Sequence, residues 1–401
     1  MKQQEKKHTI LQYKLLYTTL ILLFYLIGKN VPLYGIDVSL YLSGRVDADV
    51  LLIQSVSGDV YRCSMFALGI SPYMIASLLV QMVVAVRKVG TKSRISPKKV
   101  NRVTLLVMYV LSVIQAIERA NKLVFLDTGT DLYLSRAVAI VEMITGAMII
   151  LWLSERNKRY GVGGQTVLIF INILDGLRTT LQEYSLWKLL VPLLICMVVI
   201  MITIVMENSE KRIPLQRISI HNVYADKNYL AIKLNPIGVM PAVFSTVLFM
   251  LPQLLVSILY GMFPDNDTLS WWVKNLVLTR PLGLAVYILV IYIMTMVFSR
   301  VFVNPADLTE QFLKSGDSIP GLHAGRDTKR YLSREIRRIS MLSATVMSIC
   351  LLVPMLMQFA GYLDNTLAAL PASVMMLTGT GCNLYREVAA IRDLDAYHPF
   401  I

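Results

Sequence analysis

Residues 69–77 read Gly-Ile-Ser-Pro-Tyr-Met-Ile-Ala-Ser, and residues 238–246 read Gly-Val-Met-Pro-Ala-Val-Phe-Ser-Thr. Each stretch has a Gly, a Pro three positions later, and then a small residue followed by Ser or Thr. Each also opens a long uncharged run, which predicts a membrane helix with Gly and Pro at its start. Two related helices in different halves of a membrane protein predict an internal repeat with a functional site between the halves. The alternative is a chance similarity of two Gly-Pro helix starts.

The composition is that of a membrane protein. Of the 401 residues, 55% are hydrophobic and 16% are charged, which is too apolar for a soluble chain of this length. A helix needs roughly 20 apolar residues to cross the hydrocarbon core, so the uncharged runs predict ten spans, the fourth of which carries Glu142. The predicted spans are 15–28, 63–86, 103–117, 137–154, 160–174, 189–206, 234–264, 281–299, 339–363 and 365–385.

The basic residues predict which side of the membrane each loop occupies. If the N-terminus is cytoplasmic, the segments on that side hold 29 of the 39 Lys and Arg residues, as the positive-inside rule requires. Both termini are then cytoplasmic, and the net charge of +13 reflects topology rather than nucleic-acid binding. The run from Leu15 leads into Gly28-Lys29-Asn30 instead of a small-residue cleavage site, so no cleavable signal peptide is expected.

Ten spans divide into two halves, 1–183 and 184–401. Because five is odd, equivalent helices in the two halves run in opposite directions, so we expect an all-α polytopic fold with ten transmembrane helices in two inverted five-helix halves. Between the first two spans, Val50-Leu51-Leu52-Ile53-Gln54-Ser55-Val56 is too short to cross the membrane and too apolar for a free loop. A re-entrant helix buried in protein satisfies both constraints. The alternative is an external amphipathic helix.

Two long basic loops, 207–233 and 300–338, form the other unusual segments. Such loops often do no more than anchor the topology. The second loop also contains Ser318-Ile319-Pro320-Gly321-Leu322-His323-Ala324-Gly325, which has two turn signals around an apolar pair. That pattern predicts a shaped projection, and projecting loops on a rigid scaffold tend to carry function.

The sequence carries no enzyme or metal signature. Gly161-Val162-Gly163-Gly164 lacks the Lys-Ser/Thr of a phosphate-binding loop, and the four His and four Cys residues are scattered without metal-ligand or disulfide spacing. An inverted-repeat secondary transporter is a second candidate, but it would place ionisable groups at mid-membrane depth. Glu142 lies roughly 9 Å inside its span at 1.5 Å per residue, short of the middle. A passive channel is therefore favoured.

The chain resembles the SecY family of protein-conducting channels from the first span to the last. The strongest stretches are Phe66-Ala67-Leu68-Gly69-Ile70-Ser71-Pro72-Tyr73, Asn235-Pro236-Ile237-Gly238-Val239-Met240-Pro241-Ala242, Asn304-Pro305-Ala306-Asp307 through Ile319-Pro320-Gly321, and Gly379-Thr380. The resemblance implies an hourglass channel without cofactor or catalytic residue. It opens across the membrane, and sideways between spans two and three on one side and seven and eight on the other, with a plug at about 50–62.

The resemblance also implies roles for particular residues. Pore-ring positions, which form an apolar seal around a translocating chain, fall on Ile70, Met74, Thr166, Phe170, Val243 and Leu384. Lateral-gate polar positions fall on Gln81, Gln115, Ser245 and Thr246. The loops 207–233 and 304–333 correspond to the docking site for a cytosolic motor ATPase and the ribosome. The predicted motor contacts are Lys211, Arg212, His323, Arg326 and Lys329.

Departures from the family pattern indicate the accessory paralogue of certain Gram-positive bacteria. His323 stands where the family usually has Arg, so a guanidinium fork is lost, the ring includes Thr166 and Phe170, and the tail is short. The accessory system implies a plasma-membrane channel with its own SecA-type motor, a small SecE-like subunit and further accessory secretion proteins. Its clients are a narrow set of preproteins, typically serine-rich glycosylated cell-wall proteins. The alternative within the family is a housekeeping channel for general secretion.

Overall fold

The computed structural model describes residues 2–36, 63–90, 96–126, 130–217, 229–236, 238 and 240–396, which form twelve helices and four short strands. The helices are α1 (Lys2–Lys29), α2 (Ser71–Gly90), α3 (Pro97–Lys122), α4 (Thr130–Tyr160), α5 (Gln165–Glu183), α6 (Leu186–Asn208), α7 (Met240–Met262), α8 (Asp267–Asn275), α9 (Pro281–Phe302), α10 (Pro305–Ser315), α11 (Arg326–Phe359) and α12 (Asn365–Ala396). The strands are β1 (Glu210–Pro214), β2 (Gln216–Arg217), β3 (Tyr229–Lys233) and β4 (Asp317–Ser318). The plug expected at about 50–62 lies outside the described residues.

Each of the ten predicted spans falls on a helix, in α1 to α7, α9, α11 and α12. Within the described ranges, eight helices are long and apolar enough to cross a membrane. The apolar part of α2 covers Ser71–Val84, and α5 carries Asp175 and Arg178 in its second half. The all-α membrane fold is therefore confirmed. The crossing of the membrane by α2 and α5 stays a prediction.

The two Gly-x-x-Pro stretches share a backbone conformation as well as a sequence. Gly69 and Gly238 have φ angles of 57° and 71°, in the left-handed region that glycine adopts without steric cost. Their amides donate to the carbonyl oxygens three residues back, at 2.9 and 3.3 Å respectively. Pro72 and Pro241 are each the second residue of the helix that follows, where a missing N–H leaves no helical bond unmade. The repeat inferred from sequence thus has a common local geometry.

One buried apolar cluster runs through both predicted halves of the chain, from Tyr25 and Ile169 to Val243 and Met375. Helix α12 packs against α5 and α6, and α7 packs against α2 and α3. Packing rather than water exclusion drives helix association in a bilayer, and small residues allow close approach. Helix α12 carries such residues fully buried at Ala368, Ala369, Ala372 and Ser373.

The two long basic loops fold together at one end of the bundle. Strand β1 pairs antiparallel with β3, while β2 pairs antiparallel with β4, so β2–β4 joins the two loops. A separate apolar cluster fills the space between these strands, α10 and the start of α11. Its buried members are Ile213, Ile232, Phe312, Ile319, Leu332, Ile336 and Ile339. We call this unit of the four strands, α10 and residues 319–339 the loop platform, and the end of the bundle that carries it the basic end.

Replacing Gly238 tests the turn that opens α7. We expect Gly238→Ala to destabilise the protein by about 1–3 kcal/mol, because alanine disfavours a left-handed backbone and its Cβ would lie 3.0 Å from Glu207 Oε1. Gly261→Ala, near the end of the same helix, is the matched control, since a Cβ there meets nothing within 4 Å. Thermal unfolding of both variants in detergent measures the difference. Equal unfolding temperatures would contradict the role given to this turn.

Candidate functional site

The two halves meet along a seam where α2 and α3 pack against α7. The hydroxyl of Ser257, in the second half of α7, donates to Glu118 Oε1 of α3 at 3.1 Å. The next residue, Arg119, donates from its guanidinium to the carbonyl oxygen of Ala67, in the segment that leads into α2. Of these adjacent charges on α3, Glu118 therefore binds α7 across the seam and Arg119 binds the segment before α2 within the first half, at the end of the bundle opposite the basic end.

The four predicted gate residues make a different set of contacts. Gln115 is buried and accepts a hydrogen bond from the Ser71 hydroxyl at 3.4 Å, which joins α3 to α2 within the first half. Thr246 Oγ1 lies 2.9 Å from the hydroxyl oxygen of Tyr287, which joins α7 to α9 within the second half. Ser245 donates to the carbonyl of its own helix one turn back, and Gln81 is exposed. Their gate role stays a prediction.

Sequence reasoning did not select Glu118 and Ser257. Glu118 is the first charged residue after the uncharged run 103–117, so it was grouped with the loop that follows. The structure continues α3 to Lys122, which brings Glu118 onto the helix face that meets α7. The adjacent Glu118-Arg119 pair at the end of an apolar run was the signal available in the sequence.

The six predicted pore residues form two groups. Ile70, Met74 and Val243 belong to the central apolar cluster, and the last two are 1% and 0% exposed. Thr166, Phe170 and Leu384 are half-buried where α5 meets α12. A methyl group placed on Gly163 would come within 2.2 Å of Leu384 Cδ2, and one on Gly381 would lie 3.6 Å from the Phe170 ring. The packing of Leu384 thus requires glycine at 163, where φ is also 76°, whereas a Cβ at 381 would make an ordinary contact.

The turn between α4 and α5 is held by the buried side chain of Asn157, which is 0% exposed. Its amide nitrogen donates to the carbonyls of Val162 and Gly164 at 2.8 and 3.0 Å. Its amide oxygen accepts from the hydroxyl of Thr18 on α1 at 2.9 Å. This network fixes the glycine-rich segment 161–164 against Leu384 and explains the glycines that no phosphate-binding motif accounted for.

Glu142, Lys29 and Asp175 are ionisable groups in the helices that have partners within the protein. Glu142 accepts a hydrogen bond from the backbone amide of Tyr34, just after α1, at 3.0 Å. Buried Lys29 of α1 and half-buried Asp175 of α5 form an ion pair of 2.7 Å. Buried ions that pair with one another are what a bilayer requires of a stable helix contact.

The loop platform divides the predicted motor contacts into two sets. Lys211 pairs with Glu335, whose side chain is buried, and Arg212 pairs with Glu210 at 3.1 Å and lies over the ring of Tyr229 at 4.7 Å. These two cations therefore make contacts inside the platform. The other set consists of His323, Arg326 and Lys329. All five side chains are exposed, so the two sets differ in their platform contacts and not in accessibility.

These features define a multi-pass helical membrane protein in which two halves meet along a seam, with buried apolar residues between them and a folded loop platform at one end. The SecY family profile matches residues 64–385. The chain belongs to the SecY family.

Curated relatives of the chain cover nearly all of it. The accessory Sec system protein translocase subunit SecY2 of Leuconostoc gelidum subsp. gasicomitatum is 27% identical over 97% of this chain and 96% of its own. The protein of the same name from Streptococcus agalactiae serotype Ia is 28% identical over 96% of this chain and 95% of its own. The resemblance to the accessory branch is thus confirmed over nearly the full length.

Solved structures show the same fold. A chain from the structure of a protein conducting channel aligns with a TM-score of 0.69 at 17% identity, covering 98% of this chain and 94% of that one. Sec61 from the canine ribosome-channel complex of the endoplasmic reticulum aligns with a TM-score of 0.63 at 16% identity, with coverage of 98% and 94%. Together with the family and the curated relatives, this makes the chain a subunit of a protein translocation channel.

The contact between Glu118 and Ser257 provides a direct test of the seam. In a variant with Cys63, Cys196, Cys350 and Cys382 replaced by alanine, Glu118→Cys with Ser257→Cys is expected to react at both thiols with dibromobimane, because the two wild-type side chains are within hydrogen-bond distance. Dibromobimane becomes strongly fluorescent when both of its arms have reacted, so fluorescence measures the cross-link. Each single-cysteine variant is the control. A double variant no brighter than the two single variants would contradict the seam described here.

Proposed function

We propose that this chain is the pore-forming subunit of an accessory Sec channel that exports a narrow set of proteins. The observation that carries the proposal is the similarity over at least 96% of the chain to proteins named accessory SecY2. His323 at the tip of the loop platform supports it, because imidazole cannot make the bidentate contact of the usual Arg. The proposed clients are serine-rich glycosylated cell-wall proteins, driven by a dedicated SecA-type ATPase.

The proposed path for the exported chain runs between the halves, past the two groups of pore residues. Burial of Ile70, Met74 and Val243 supports a closed apolar seal in the resting state, since a constriction lined by such side chains excludes water and ions. Thr166 and Phe170 are half-exposed, which fits side chains that line the proposed path next to the apolar seal. Residues 50–62 would act as the plug, and the inverted halves 1–183 and 184–401 would move apart at the seam.

The proposed motor site is the exposed face of the loop platform. His323, Arg326 and Lys329 are accessible there and are the residues that we expect to contact a cytosolic ATPase. We assign Lys211 and Arg212 a different part, because their contacts with Glu335 and Tyr229 keep β1 and β3 in position. In this reading the basic end and both termini are cytoplasmic, in the plasma membrane, and a small SecE-like subunit and lipid cover the outside of the bundle.

Site-specific cross-linking of a stalled secretory chain tests the channel proposal. Photoreactive residues placed at Met74 and Val243 are expected to form adducts with the chain only when it is engaged in the channel, because both side chains are buried in its absence. The same probe at the lipid-facing position Leu194, which is 63% exposed, is the control. Equal labelling at all three positions, or none in the interior, would exclude a path through the seal.

Depletion of the gene separates the accessory from the housekeeping role. An accessory channel predicts that a few surface proteins are lost while growth and general secretion continue, because a second channel carries the bulk of export. Quantitative proteomics of the cell wall and culture medium provides the measurement. Arrest of growth with accumulation of many precursors would instead identify the housekeeping channel.

A further inference from the structure

Glu207 is a buried carboxylate at the C-terminal end of α6, and its side chain is 1% exposed. Arg386 of α12 donates from Nη1 to Oε2 at 3.0 Å. The other guanidinium nitrogen donates to the backbone carbonyl of Glu207 and, at 3.3 Å, to Oδ1 of Asn208. Arg386 thus binds the last turn of α6 through three acceptors, an arrangement that suits the planar fork of donors in a guanidinium.

The same carboxylate holds the base of α7. Asn235 donates from its amide nitrogen to Glu207 Oε1 at 3.1 Å. The amide oxygen of Asn235 accepts from the hydroxyl of Ser343 on α11 at 3.0 Å. Three residues after Asn235, the left-handed turn at Gly238 passes so close that a Cβ would lie 3.0 Å from Oε1. Four elements, α6, α11, α12 and the start of α7, therefore meet at one buried anion.

The residue after Arg386 makes a contact with the other half. Glu387 Oε1 accepts from the backbone amide of Gly163 at 3.0 Å, in the turn between α4 and α5. Leu384, one turn earlier on α12, packs against the same glycine. The end of α12 is thus fixed on one side to the base of α7 and on the other to the first half of the chain.

We propose that Glu207 and Arg386 form an ionic latch that positions α7 relative to α12 and thereby keeps the seam closed in the resting channel. The inference rests on the proposed function in that the seam must open for an exported chain. Helix α7 carries Ser257 about 26 Å from Met240 at 1.5 Å per residue. Tilting the helix by about 5° at its base therefore moves Ser257 by roughly 2 Å, which is enough to break its hydrogen bond to Glu118.

If Glu207 and Arg386 only stabilise the fold, a variant that lacks both charges is expected to behave differently. Removing one partner of a buried ion pair is strongly destabilising because the remaining charge has no partner, whereas removing both charges costs far less. If the pair only stabilises the fold, a variant without either charge keeps a closed seam. If the pair is a latch, that variant folds but its seam opens.

The test uses the Glu118→Cys/Ser257→Cys protein and its dibromobimane cross-link as the seam reporter. We compare Arg386→Met with the double change Glu207→Gln/Arg386→Met, which leaves no buried unpaired charge. Both variants are expected to slow seam cross-linking. The decrease for Arg386→Met is expected to be about tenfold or more, because this change breaks a buried pair. Both variants are also expected to raise ion conductance in planar bilayers in the absence of a secretory chain. Arg392→Met, an exposed position on the same helix, is the control for loss of a positive charge.

A double variant with a wild-type cross-linking rate would overturn the latch. Unfolding temperature reports the structural contribution separately, and if Arg386→Met does not accumulate, the double variant carries the test. The seam reporter needs no substrate. If the latch variants slow seam cross-linking but a stalled chain forms no interior adducts, the proposed path is contradicted and the latch is not. If a stalled chain forms interior adducts but the variants cross-link at the wild-type rate, only the latch is contradicted.

Discussion

A polar group in the hydrocarbon core needs a partner inside the protein, because no water is present to supply one. Most hydroxyls in the helices meet this requirement locally, as Thr180 and Thr380 do by donating to carbonyls one turn back. Buried charges meet it by pairing across helices, as Lys29 does with Asp175. Since few polar side chains remain to join one helix to another, each one that does so specifies a particular contact. The architecture of this channel follows from where those few contacts lie.

The seam between the halves is weakly held under this constraint. Interhelical hydrogen bonds in membranes contribute typically ~0.6–2 kcal/mol each, and the contact of Glu118 with Ser257 is of this kind. By contrast, the base of α7 is fixed through a buried carboxylate that touches α12 directly and α11 through Asn235. A helix that is held weakly at one end and firmly at the other would suit the proposed gate, which has to open at modest free-energy cost.

The loop platform is stabilised differently from the helices, because it lies outside the apolar bundle. Here burial of apolar side chains such as Ile213, Phe312 and Leu332 supplies the driving force, and the exposed cations remain available to a partner. Pairing of β2 with β4 makes the two loops one surface. The proposed motor, bound to either loop, would therefore be mechanically connected to the starts of α7 and α11.

Much of this fold was determined by the sequence itself. The apolar runs located the helices, and the two Gly-x-x-Pro stretches predicted a shared turn, because only glycine fits a left-handed backbone and proline is tolerated in a first turn. The turn-rich segment at 318–325 likewise predicted a shaped projection. The family motifs carried the channel assignment and named pore residues such as Met74 and Val243, which the structure buries in one apolar cluster.

What only the tertiary structure decided is which polar side chains meet. The sequence placed Glu118 just outside a span, Glu207 at the start of a basic loop and Arg386 in the tail after the last span, and it gave Lys211 the same role as Arg326. The sequence did not reveal these contacts because the two partners are distant in the chain. Folding brings Ser257 to Glu118, Arg386 to Glu207 and Glu335 to Lys211, and no local propensity encodes such a contact. Hydrophobic runs and turn residues act over a few positions and can be interpreted from one sequence. Pairings between distant helices depend on the geometry of the whole bundle, so the seam and the pair of Glu207 with Arg386 became visible only in three dimensions.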